Sequence, residues 1–174
     1  IARDPSSLAG RAGVVCKNLD VSDAKAYTDA VAGHDVVISA THFSSVSARA
    51  TIEPVKQAGV PRLLVVGGAG SLFVAPGLRV IDTPDFPEEY KAEAGAGVAF
   101  LETLSQEKSL DWTFLSPSAE FFEGERTGAF RLGKDDLLVS AAGKSSISFA
   151  DYAIAMLDEV EQHAHPRQRF TVGY

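Results

Sequence analysis

The feature that most restricts what this chain can fold into is an alternation of two hydrophobic periods. Short β-branched or aliphatic runs occur at Val14-Val15-Cys16, Asp35-Val36-Val37-Ile38-Ser39, Arg62-Leu63-Leu64-Val65-Val66 and Trp112-Thr113-Phe114-Leu115. They are apolar at consecutive positions rather than alternate ones, the pattern of strands covered on both faces. Between them the apolar spacing is helical: Tyr27, Ala30 and Val31; Ile52, Val55 and Lys56; and Ala94, Val98, Leu101 and Leu104 between Glu88 and Lys108. Strand, helix, strand is repeated three times, and crossovers of this length imply parallel strands joined by right-handed connections. Pro54 falls inside the second helical stretch and predicts a kink or a late start there.

After Pro117 the pattern changes. Residues 129–132, a turn at 133–136 and Leu137-Leu138-Val139 read as strand, turn, strand. Ser148 stands three residues before Asp151, an approximate capping box, and opens a helix with an apolar face of Tyr152, Ala155, Met156 and Val160. Arg169-Phe170-Thr171-Val172 alternates like an edge strand. The expected organisation is one domain over residues 1–174, with residues 119–174 as a C-terminal extension on the substrate side. No repeat or Pro/Ser-rich linker argues for a second one.

Composition removes several classes of function. With 16 Lys and Arg against 23 Asp and Glu the net charge is −7, and no basic run offsets it, so nucleic acid is not an expected partner. A single cysteine, Cys16, excludes an internal disulfide, and with four scattered histidines it leaves no metal-ligand pattern. A reducing, cytoplasmic compartment is expected. No apolar stretch approaches the roughly 18 residues a membrane span requires, and no charged-then-apolar leader opens the sequence.

In an open parallel sheet, ligands bind beyond the carboxyl ends of the strands. The segments that fall there are 20–23, Ala40-Thr41-His42, Gly67-Gly68-Ala69-Gly70-Ser71 and Ser116-Pro117-Ser118. All are small, polar or glycine-rich, so backbone can approach a flat ligand closely. Gly67 to Gly70 is not read as a phosphate loop, because that fingerprint runs into a helix and here residues 71–77 carry no helical start. It serves either a tight turn or a thin floor beneath a ring. The opening Ile1-Ala2-Arg3-Asp4-Pro5 resembles the last residues of a strand followed by a turn, so a first strand and its glycine-rich loop are expected to be missing from this sequence.

These segments together resemble a known group. Residues 65–72, the run Asp85-Phe86-Pro87 with Tyr90, Lys91, Glu93 and Ala94, then 111–117, Gly124-Glu125-Arg126-Thr127-Gly128, Ile147-Ser148 with Asp151-Tyr152-Ala153, and the closing 169–172 are similar to the NADH-flavin reductase group of the atypical short-chain dehydrogenase/reductases. That group is related to the NmrA-like and biliverdin reductase B-like proteins, and the similarity spans essentially the whole chain. It implies an α/β fold with a Rossmann-like doubly wound parallel sheet and a bound nicotinamide dinucleotide. Arg3 matches the basic residue facing the adenosine phosphate, which favours NADP(H) over NAD(H), since a guanidinium forks onto phosphate. By position, Asp20 and Val21 flank the adenine, Ala40 and Thr41 follow the ribose and pyrophosphate, Gly67 and Gly68 pass beneath the nicotinamide ribose, and Ser116 and Pro117 close the nicotinamide end. Asp20 also reads as a helix cap.

The departure from the wider superfamily concerns catalysis. Classical members place a Lys four residues after the catalytic Tyr, on the same helical face. Here Tyr90 is followed at that spacing by Ala94, and Lys91 points elsewhere. Tyr90 and Ser71 remain the candidates for a proton or hydrogen-bond donor, each with a structural role as its alternative. His42, Phe43, Phe73 and Phe121 are candidates for the substrate pocket, with packing as theirs. Hydride transfer to a flavin or similar planar acceptor depends on stacking and exclusion of water more than on a strong protein acid, so the resemblance and the missing pair together suggest such a reductase. The alternative is an NADP(H)-sensing regulatory protein of NmrA-like type. The expected partners are small planar molecules, with the protein a monomer or homodimer.

Overall fold

The computed structural model describes residues 1–174. Five strands form the central sheet: β1 (Val37–Ser39), β2 (Arg62–Val66), β5 (Asp111–Ser116), β9 (Gln168–Gly173) and β7 (Arg131–Gly133), in the order β1-β2-β5-β9-β7. The first four are parallel and β7 runs antiparallel to β9. The other strands form two small pairs, β3 (Phe73–Ala75) with β4 (Leu78–Arg79), and β6 (Glu120–Phe122) with β8 (Ser146–Ser148). Four helices complete the fold: α1 (Ala24–Val31), α2 (Ala48–Gln57), α3 (Glu88–Ser105) and α4 (Phe149–Gln162).

The consecutive apolar runs are explained by two cores, one on each face of the sheet. Leu63 and Val65 of β2, with Trp112 and Phe114 of β5, pack into a cluster containing Tyr27, Ile52, Val55 and Phe100 from α1, α2 and α3. The intervening Leu64 and Leu115 point the other way, against Tyr152, Ala155 and Met156 of α4 and Phe170 of β9. Side chains alternate across a strand, so a sheet with helices on both faces requires apolar residues at every position. Leu63, Leu64 and Leu115 are fully buried, and each contributes about 1.5–3 kcal/mol of hydrophobic stabilisation.

Helix starts follow local chemistry. Asp23, Ser47 and Ser148 cap α1, α2 and α4 by accepting from Ala26, Ala50 and Asp151 backbone N–H groups. α2 passes through Pro54 without a late start, beginning six residues earlier at Ala48. Having no N–H, Pro54 leaves the Ala50 carbonyl without its intrahelical partner.

Three expectations are corrected. Val14-Val15-Cys16 is not a strand: Val15 is 83% exposed, and the nearby pairing is one isolated bridge between Ala2 and Asn18. The expected hairpin across 129–139 does not form. β7 pairs with β9, while the segment after it meets Phe73 through backbone bonds on either side of the residue, Phe73 N to Asp135 O and Leu137 N to Phe73 O. β9 is interior rather than an edge, flanked by β5 and β7, with Phe170, Thr171 and Val172 buried. The buried Thr171 hydroxyl is satisfied, donating to the Ser116 carbonyl at 2.9 Å.

At the amino ends of the strands a buried ionic cluster ties α4 and β9 to the sheet. Arg62 donates to the Glu159 carboxylate at 2.7 Å, which also accepts from the His165 backbone N–H at 3.0 Å and faces its ring. Burial works against ionisation of Glu159, yet the His165 hydrogen bonds and the Arg62 charge outweigh it and hold the carboxyl below its usual range.

Candidate functional site

The carboxyl ends of β1, β2 and β5 open onto two depressions that share a wall. The first is a groove of about 830 Å³ lined by residues 1–3 and 19–22 on one side and 36–42 on the other. It runs along the edge of β1 that carries no partner strand, where Ile38 is 42% exposed. Its deeper lining, including Val31, Val36 and Val37, is apolar, and its rim is polar, with Arg3, Asp20 and Thr41. Asp20 does not cap α1; Asp23 does. The Asp20 carboxylate instead accepts from the Ser22 N–H at 2.9 Å, and this bond, helped by the nearby Arg3 charge, lowers its pKa. Ser39 and Thr41 hydroxyls lie 3.3 Å apart at the end of β1.

The second depression is a cleft of about 510 Å³, lined by Gly67, Gly68, Ala69, Gly70 and Ser71 below and by Phe86, Pro87, Tyr90 and Ala94 above. The segment 40–44 divides the two, His42 facing the groove and Phe43 the cleft. Glu93 of α3 holds this wall, accepting from Phe43 N–H at 2.7 Å and Ser44 N–H at 3.0 Å. Burial opposes charge on Glu93, and those bonds, with His42 at 3.6 Å, overcome it to lower the pKa. No local pattern in the sequence signals this clamp, because its two halves lie about 50 residues apart.

The glycines of the floor do different work. A Cβ at Gly67 would collide with the Phe114 ring and come within 2.7 Å of the Leu115 carbonyl, the acceptor for Gly67 N–H at 2.8 Å. Gly67 is therefore glycine for packing between β2 and β5. Gly68 meets nothing nearer than Phe43 at 3.9 Å and presents bare backbone to the cleft. Gly70 lets α3 approach, its Cβ position lying 3.0 Å from that of Ala94. The stretch ends in a single 3-10 turn, Ala69–Ser71, not an α-helix. The bare patch at Gly68 and the polar rim at Arg3 and Thr41 suit the two ends of an extended dinucleotide, whereas residues 1–174 contain no glycine-rich turn leading into a helix that would cradle its phosphates.

The structure thus brings Gly67, Gly68, Ser71, Tyr90 and Phe43 to one cleft, and Arg3, Asp20, Val21, Ala40, Thr41 and His42 to the adjoining groove. Other expected residues lie elsewhere. Ser116 and Pro117 are buried beneath the rim, with Ala119 and Glu120 taking the place beside the cleft. Ser116 Oγ has no hydrogen-bond partner. Phe121 is not at the mouth, because its ring packs edge-on against Phe149 and lies 4.7 Å from Tyr152. Phe73 is held in β3 by pairing with Arg79 and the bridge to Asp136, and does not line the cleft. Phe43 reaches the cleft, but its ring is wedged against Phe100, Phe114 and the space left by Gly97. Tyr90 is 61% exposed at the lip.

The model of a family described as NAD(P)H-binding matches residues 1–162 of this sequence. The chain belongs to that NAD(P)H-binding family. Its relatives include the uncharacterized protein YwnB of Bacillus subtilis (strain 168), 47% identical over 158 residues, covering 88% of this chain and 74% of that one. Among solved structures, a provisionally named epimerase from Bacteroides thetaiotaomicron is 42% identical with a TM-score of 0.88, over 99% of this chain and 82% of that one. A provisionally named NADH-flavin reductase from Streptococcus pneumoniae TIGR4 is 35% identical with a TM-score of 0.80, over 94% and 82%. The mostly parallel sheet is the Rossmann-like architecture expected of the NAD(P)H-binding family. No helix is long and apolar enough to cross a membrane.

Proposed function

We propose that this protein is an NAD(P)H-dependent oxidoreductase that passes hydride to a flavin or similar planar acceptor. The observation that carries the reading is the cleft above Gly68, where bare backbone forms a floor and Phe86, Pro87 and Tyr90 form a lid, a space shaped for flat rings. The name borne by the Streptococcus relative agrees with it.

When bound, the nicotinamide dinucleotide supplies the hydride. Arg3 and Asp20 would hold the adenosine end in the groove, where the Arg3 guanidinium would favour a 2′-phosphate and Val21 would flank the adenine. Ala40 and Thr41 would lie along the ribose and pyrophosphate. Gly68 keeps the floor thin enough for face-to-face approach, which is where most of the rate gain arises when two rings are held in register, while Gly67 lets β2 and β5 pack beneath it. Phe43 and the Glu93-clamped wall exclude water from one side. Ser71 offers a hydroxyl to the acceptor, and Tyr90 covers the lip. No Tyr/Lys pair is present to protonate a carbonyl, so an acceptor that itself holds charge is the better substrate.

The test is NADPH and NADH oxidation, followed by absorbance, with riboflavin, FMN, FAD or a quinone as acceptor. Acceptor-dependent oxidation supports the reductase. Tight coenzyme binding with no oxidation under any acceptor would instead favour a sensor of coenzyme level.

A further inference from the structure

We infer that Arg169 is a positioning residue for Ser71, fixing which way that hydroxyl donates. The inference rests on the reductase reading of the cleft above. Arg169 stands on β9 and its side chain is only 8% exposed. Its Nη1 lies 3.2 Å from Ser71 Oγ, while Nε and Nη2 are 2.8 and 2.6 Å from the Asp135 carboxylate. A guanidinium has donors and no lone pair to accept with, so Ser71 Oγ must be the acceptor in that bond. The Ser71 hydrogen is then left without a partner in the protein, on a residue that lines the cleft.

This arrangement settles the donor role that the sequence leaves open. A free serine hydroxyl turns to bond its own loop. Here one lone pair is occupied by a cation, so the O–H is aimed away from Arg169 and is a stronger donor than an isolated hydroxyl. During reduction, the C–H bond of the dihydronicotinamide breaks and its electron pair forms a new bond to hydrogen on the acceptor. The coenzyme is oxidised and the acceptor gains a negative charge on an oxygen or nitrogen. Ser71 donates a hydrogen bond to that atom, and the Arg169 charge behind it stabilises the developing anion. The proton that completes the reduction comes from water at the open side of the cleft, so Ser71 keeps its own. Asp135 is 60% exposed and fixes the guanidinium while solvent screens its charge.

The experiment compares Ser71→Ala, Arg169→Gln, Arg169→Lys and the double variant Ser71→Ala/Arg169→Gln in the full chain, with NADPH and riboflavin. Thermal melts are recorded for each. The expected result is a tenfold or greater fall in kcat for both Ser71→Ala and Arg169→Gln, with KM for NADPH within twofold of wild type. Arg169→Lys restores part of the loss, and the double variant is no slower than Ser71→Ala alone. Losses that multiply in the double variant, or an Arg169→Gln enzyme with normal kcat, overturn the proposal and leave the reductase reading intact. Should Arg169→Gln melt below the assay temperature, Arg169→Lys against Ser71→Ala/Arg169→Lys carries the same comparison. A wild-type chain that oxidises NADPH with none of the acceptors overturns both.

Discussion

The floor of the cleft makes opposite predictions for two adjacent glycines. At Gly68 the backbone is extended, with φ −129°, so alanine is accommodated without strain, and the nearest atom to the new methyl is Phe43 Cε2 at 3.9 Å. Stability should stay within about 0.5 kcal/mol of wild type. The methyl nevertheless raises the floor by roughly one bond length, where carbon contacts are best at about 3.5–4.0 Å, so a stacked ring must move away. A displacement of about 1 Å between reacting groups costs on the order of 100-fold in rate, so Gly68→Ala should lose roughly 10- to 100-fold in kcat/KM, or about 1.4–2.7 kcal/mol. At Gly67 the methyl lies 2.7 Å from the Leu115 carbonyl and against the Phe114 ring, neither of which yields easily. Overpacking of this kind costs about 1–3 kcal/mol of stability, which at this chain length lowers Tm by roughly 2–12 °C. Denaturant titration beside steady-state NADPH oxidation separates the two effects. Full activity in Gly68→Ala, or wild-type stability in Gly67→Ala, would refute these roles for the two glycines.

Arg3→Ala should weaken NADPH by roughly ten- to a hundredfold, the scale of a lost charge-assisted bond, and NADH much less; equal losses by calorimetry would remove the case for NADP(H). Asp151 is fully buried and accepts from Thr127 Oγ1 at 2.5 Å, Gly128 N–H at 2.8 Å and Tyr174 hydroxyl at 2.8 Å. Asp151→Asn places an amide donor against those donors and should cost about 2–3 kcal/mol in urea denaturation, with unchanged stability as the refuting result. Glu107 is held at a pKa of about 2, against 4.5 ordinarily, first by Ser109 and then by Lys56. A depressed carboxyl stabilises the fold fully above its unfolded pKa, so the advantage of wild type over Glu107→Gln should be complete at pH 7 and fade between about pH 4.5 and 2. Denaturation curves across that range check it.

The parts of the fold that could be read from sequence are those whose signal is local. β2 lies at Arg62–Val66, as its apolar run indicates, and Ser148 caps α4 ahead of its predicted face of Tyr152, Ala155 and Met156. Val14-Val15-Cys16 has the right residue types, yet Val15 stands 83% exposed, because propensity records fit to a pleated surface and cannot say whether a neighbouring surface exists. β9 departs from its pattern for a related reason: alternation at Arg169-Phe170-Thr171-Val172 looks like one wet face, but Thr171 is buried and bonded to the Ser116 carbonyl. At the site, the glycine floor and Tyr90 were legible because a ligand-facing segment must follow a strand. Glu93, Arg169 and the packing of Phe121 against Phe149 and Tyr152 of α4 were not, since each depends on a partner distant in sequence.

The placement of β9 also governs the order in which the molecule can assemble. Residues 168–173 fill a slot between β5 and β7, and β7 has no other ladder to join. A growing polypeptide therefore cannot finish its sheet until those six residues have emerged. Until then residues 131–133 hang unpaired and the Leu115 side of the sheet lacks Phe170 and Val172. A nascent chain stalled short of residue 168 should present that bare hydrophobic flank to chaperones, with only β1, β2 and β5 in their final register.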